Sequence, residues 1–132
     1  MQSIDTNIVL RLLLRDVPVQ LNKVNNLFDE ASNGSLIASD AVFFECVWVL
    51  SGKMFGFERG HIAKLLLQIA DVPQIKCNNT MLEKALPLYV KHPTISFIDA
   101  CLSVYAELDN AKPLLTFDKK LASSLPKNVV SL

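Results

Sequence analysis

Apolar residues recur at two spacings along this chain of 132 residues, and the alternation predicts strands and helices in turn. Residues 1–5 (MQSID) read as a short first strand. From about Thr6 to Arg15 the spacing becomes helical, with Leu10, Leu13 and Leu14 on one face. Asp16-Val17-Pro18 interrupts it, and Pro18 opens a second helix to about Ala31, because the first turn has no use for the N–H that proline lacks. Its inward positions are Leu21, Val24, Leu27 and Phe28, and Asn33-Gly34 closes it. Residues 35–39 (SLIAS) form the second strand. A long apolar helix runs from Asp40 to about Phe55, ended by Gly56, and another from Glu58 to Ile69 with Ile62, Leu65, Leu66 and Ile69 inward. Residues 73–77 are a third strand. Helix resumes from Thr80 to about Lys91 despite Pro87, stops at His92-Pro93, and starts again from Ser96 to about Leu108. Residues 113–116 (PLLT) are a strand, 118–124 a short helix and 128–131 (NVVS) a last strand. Strands that alternate with helices predict an α/β fold, a parallel sheet covered on both faces.

That layout gives four acidic residues a common address. Asp5 ends the first strand, and Asp118 lies two residues past Thr116 at the end of the fourth. Glu45 is five residues into the helix that leaves the second strand, about 7.5 Å from its start. Asp99 opens the helix that feeds the fourth strand, so it belongs at the same edge. Open α/β sheets bind ligands at that edge. Each acid also has a structural explanation. Asp5 and Asp118 suit helix N-caps, and Ser96-Phe97-Ile98-Asp99 fits a capping box. Glu45 is harder to explain that way. It is the only charge in AVFFECVWVL, with Ala41, Val42, Trp48 and Val49 as helical neighbours. An unpaired buried carboxylate is costly, so Glu45 must be neutralised, reach the helix rim or meet a cation.

Two like charges about 4 Å apart repel by roughly 4 kcal/mol even at an effective dielectric of 20. Four converging carboxylates are therefore best explained by one or two divalent cations, and hard oxygen ligands select Mg²⁺ or Mn²⁺. Such a site suits phosphodiester hydrolysis, because metal generates the nucleophile from water and stabilises the leaving oxygen.

Composition narrows the choice. Thirteen basic residues balance thirteen acidic ones and the pI is about 6.7, which argues against a strongly cationic nucleic-acid clamp. A chain that is 51% hydrophobic, with mean hydropathy +0.32, is not disordered and supports one core, read as a single domain over residues 1–132. No uncharged run is long enough to span a membrane, and Arg11 inside the first apolar run predicts that MQSIDTNIVLR is not a signal peptide. Cys46, Cys77 and Cys101 lack metal-like spacing to His61 or His92 and read as buried thiols of a cytoplasmic protein.

Four blocks, IDTNIVLRLLLRD, SDAVFFECVWVL, SFIDACLSVYAEL and PLLTFDKKLASSLP, resemble in sequence and order the PIN-domain ribonucleases, specifically the VapC-type toxins of bacterial toxin–antitoxin pairs. The resemblance implies a PIN-like three-layer fold, with a parallel five-stranded sheet flanked by helices. It implies a magnesium-dependent endoribonuclease whose acidic site maps onto Asp5, Glu45, Asp99 and Asp118. Asn7 and Thr116 match positions that support those acids or a water. Where many relatives carry a further acid after the last Asp, this chain has Lys119 and Lys120, which leaves one or two Mg²⁺ or Mn²⁺ ions as the expectation. Arg11, Arg15, Lys53 and Lys119 are candidates to guide an RNA backbone, with solvated surface as the alternative for each. A cognate antitoxin and a homodimer are also implied. Phe43, Phe44, Trp48, Phe55 and Phe57 offer core and, in part, a groove for an antitoxin helix.

Two competing readings remain. A haloacid-dehalogenase-type phosphatase also uses an Asp at the first strand's end, but it wants a second Asp where this chain has Asn7. A catalytically inactive PIN-like module would only bind protein or RNA.

Overall fold

The predicted order of strands and helices is realised in the computed structural model, which describes residues 1–132. It runs β1 (Gln2–Ser3), α1 (Thr6–Leu14), α2 (Pro18–Glu30), β2 (Leu36–Ile37), α3 (Asp40–Ser51), α4 (Arg59–Ala70), β3 (Ile75–Lys76), α5 (Asn79–Lys91), α6 (Phe97–Leu108), β4 (Leu114–Thr116), α7 (Lys119–Ser124) and β5 (Val129–Ser131). The chain forms two compact units, Met1–Asn78 and Asn79–Leu132. All strand pairs are parallel, so the fold is α/β.

In the N-terminal unit β2 is the central strand, pairing Gln2 with Leu36 on one side and Leu36 with Ile75 on the other. The strands are short, and backbone bonds just beyond them extend the ladder: Ile4 N donates to Ile37 O at 2.9 Å and Ala38 N to Lys76 O at 3.0 Å. α1 and α2 form a hairpin through residues 15–17, and α1 packs on α3 and α4. Val9, Phe43, Leu50, Ile62 and Leu66 are completely buried here. Burying a side chain of that size contributes about 1.5–3 kcal/mol.

In the C-terminal unit α5 packs on α6. Met81, Leu82 and Leu86 of α5 and Ala100, Cys101 and Val104 of α6 are buried. Cys101 Sγ lies 3.4 Å from Met81 Sδ, and the rings of Tyr89 and Phe97 meet edge to face at 5.7 Å. β4 and β5 pair Leu114 with Val129 and Thr116 with Ser131. Parallel neighbours need a crossover of about a dozen residues, and α7 supplies it.

Three expectations change. The five strands pair as sets of three and two, where the resemblance implies one five-stranded sheet. The strands are only two or three residues long, and an apolar pattern says nothing of which strands share a ladder. α3 ends at Ser51, not near Phe55. Its apolar run continues past the end, but Gly52 caps it, Gly56 turns the chain at φ +57°, and Phe57 N folds back to Leu50 O at 2.9 Å. Cys46 and Cys101 are buried as predicted, whereas Cys77 is only half-buried; none of the three forms a disulfide. Burial, then the Glu45 charge, pushes the Cys46 thiol up to about 12.

Candidate active site

Asp5 lies two residues past β1, just after Ile4 extends the ladder, and caps α1. Its backbone is extended, and Oδ1 accepts a hydrogen bond from Ile8 N at 3.1 Å, meeting one of the orphan amides of the first turn. Both the N-cap and the strand-end expectations for Asp5 therefore hold. Two residues on, Asn7 is exposed. Asp5 and Asn7 line one end of an open cleft of about 290 Å³, shared with Ile8 and Arg11 of α1 and Gln20, Lys23 and Val24 of α2.

Arg11 is held in this cleft. Only 17% of its side chain is exposed, its Nε lies 3.3 Å from Asp16 Oδ1, and its Nη1 donates to Gln20 Oε1 at 3.4 Å. Arg15 is different. It closes α1 in the left-handed region at φ 52° and is exposed, outside the cleft lining.

Glu45 is exposed, the helix-rim outcome among the three open to an acid in that apolar run. Ala41 and Trp48 of the same α3 face are exposed with it, Trp48 by 81%, so an all-apolar window concealed a solvent-facing stripe. Of the other aromatics, Phe43 is buried and Phe44, Phe55 and Phe57 are half-buried. Lys53 is exposed just beyond the end of α3.

The C-terminal unit holds its two acids through hydroxyls. Ser96 caps α6 by accepting from Asp99 N at 3.0 Å, and Asp99, half-buried, points from the first turn with its carboxylate unpaired. Thr116, the last residue of β4, accepts from Asp118 N at 3.0 Å, and Asp118 Oδ1 in turn accepts from Leu121 N at 3.1 Å to cap α7. Lys119 and Lys120 are exposed at the start of that helix.

Ion pairs join Arg11 to Asp16 and Lys84 to Glu107, and Asp5, Glu45, Asp99 and Asp118 have no basic partner. Each unit carries two of these acids, and no three His, Cys, Asp or Glu side chains are gathered closely enough to hold a metal ion. What the structure does bring together is Asp5, Asn7 and Arg11 in one cleft, and Thr116 with Asp118. Gln20 and Lys23 were not foreseen in this cleft. Their signal is faint, two polar residues three apart on a helix antiparallel to α1.

An α/β chain with parallel strands, an acid just past β1, a Thr-Phe-Asp step at the end of β4 and an acid in the first turn of α6 defines a recognisable class. The PIN domain family model matches residues 3–124, and the chain belongs to that family. No curated protein matches it. No helix is long and apolar enough to cross a membrane.

Proposed function

We propose that the chain is a divalent-cation-dependent endoribonuclease, the toxin of a cytoplasmic type II toxin–antitoxin pair that acts as a homodimer. Membership of the PIN family supports a nucleolytic role over the phosphatase alternative. The observation that carries the reading is that Asp5, Glu45, Asp99 and Asp118 are all solvent-exposed or half-buried, and none has an ion-pair partner. An all-carboxylate donor set of this kind fits Mg²⁺ or Mn²⁺, with one or two ions. When bound, the metal supplies an activated water and offsets charge on the scissile phosphate.

The chain's own residues have separable tasks. Asp5 spends one oxygen on Ile8 N and keeps its remaining lone pairs for the ion. Thr116 fixes the backbone of Asp118, and Ser96 fixes that of Asp99, so both carboxylates start from set positions. Asn7 orients water or phosphate at the Asp5 end of the cleft. Glu45 offers a further carboxylate from the exposed face of α3. Arg11 steers the RNA backbone from within the cleft, while Arg15, Lys53 and Lys119 do so from the exposed surface. Exposed Trp48 supports a protein partner, which in this reading is an antitoxin helix.

The test is incubation of total cellular RNA with purified protein, in Mg²⁺ or Mn²⁺ and in chelator, beside Asp99→Asn. Discrete fragments with 5′-phosphate ends that vanish in chelator and in the variant are expected. Folded wild-type protein that binds neither metal nor RNA leaves the inactive binding module as the better description.

A further inference from the structure

We infer that the cleft between α1 and α2 is an RNA phosphate subsite, and that Lys23 is its contact residue. The inference rests on the nuclease reading above and adds where the strand leaves the reacting centre.

The cleft is bipolar. Asp5 and Asn7 stand at one end, Arg11 and Gln20 toward the other, with Lys23 also on the wall. Asp5 and Arg11 are six residues apart, about 9 Å along the axis of α1. α1 and α2 are antiparallel across the three-residue link, so Gln20 meets Arg11 while Lys23 and Val24 follow on the way back toward Asp5.

The cations are not equivalent. Arg11 is largely buried, its charge offset by Asp16 and its fork directed by Gln20. It steers the backbone from a fixed place in the wall, with part of its charge already neutralised. Lys23 is exposed and has no ion pair, so its three donors and full charge remain for a ligand. A carboxylate at one end and an uncompensated ammonium further along would sort a polyanion. The phosphate beside Asp5 needs a metal to be accepted there, whereas a neighbouring phosphate is attracted without one. The contact is to backbone, so it carries affinity and no base preference.

The experiment is fluorescence anisotropy of a labelled single-stranded RNA 12-mer in chelator, titrated at several salt concentrations. Wild type is compared with Lys23→Gln, Lys23→Arg and the surface control Lys127→Gln, and each protein is also assayed for cleavage in Mn²⁺. Lys23→Gln is expected to weaken binding about fivefold, equally for different sequences, and to reduce the slope of log affinity against log salt by about 0.7. Lys23→Arg and Lys127→Gln are expected to keep the wild-type slope, and the loss in cleavage should fall on KM and leave kcat intact. Lys23→Gln with unchanged affinity and slope, in a protein that cleaves RNA, overturns the subsite and leaves the nuclease. Wild type that neither binds nor cleaves RNA overturns both.

Discussion

The two units treat their acids differently. In the C-terminal unit each acid has its backbone pinned by a hydroxyl, Ser96 for Asp99 and Thr116 for Asp118. In the N-terminal unit Asp5 borders an open cleft with two cations on its walls, and Glu45 stands on a bare helix face beside Trp48. One unit pins the backbone under its candidate acids with hydroxyls, and the other sets its acids beside open surface. Within the proposed function, the former favours metal holding and the latter substrate contact. A reaction that depends on positioning and charge needs both.

The comparison can be broken most severely at Asp118. Asp118→Asn keeps an oxygen to accept from Leu121 N, so α7 stays capped while the charge is lost. Cleavage is expected to fall on the order of 10³-fold with an unchanged melting curve. A matching loss of stability would instead make Asp118 a cap and nothing more.

Helix α3 allows a comparison within one element. Phe43 is completely buried and Trp48, five residues on, is 81% exposed. Phe43→Ala is expected to cost about 3–5 kcal/mol in denaturant unfolding. Trp48→Ala should stay within about 0.5 kcal/mol of wild type. If a partner helix covers Trp48, the second variant loses complex formation while the free protein stays equally stable.

The hydroxyl support sharpens the contrast at smaller scale. Thr116→Val removes the acceptor for Asp118 N and keeps the side-chain shape. About a tenfold loss of cleavage is expected, equivalent to one hydrogen bond of roughly 1–1.5 kcal/mol, with Thr116→Ser restoring it. Equal activity of the Val and Thr proteins would show that Asp118 is held by its cap alone.

Much of this was legible in the amino-acid pattern. Ser96, Asp5 and Asp118 announce helix starts by residue type, and strand–helix alternation carries the α/β class, because both signals are local. Glu45 shows where local pattern fails. AVFFECVWVL is apolar on nearly every side, so periodicity does not say which face meets solvent, and packing on α1 and α4 decides that Trp48 stays outside. The grouping of strands into three and two, and the cleft that joins Arg11 to Gln20, depend on contacts between distant positions. Lys23 reads as ordinary helix surface until α1 is laid against α2.

The central claim of the proposed function is that these unpaired carboxylates bind a divalent ion. The most direct measurement is calorimetric titration of Mn²⁺ into wild type, Asp5→Asn and Asp99→Asn, with circular dichroism to show that each is folded. Wild type is expected to bind, and each single variant to lose most of that affinity. Binding equal in all three would contradict the claim.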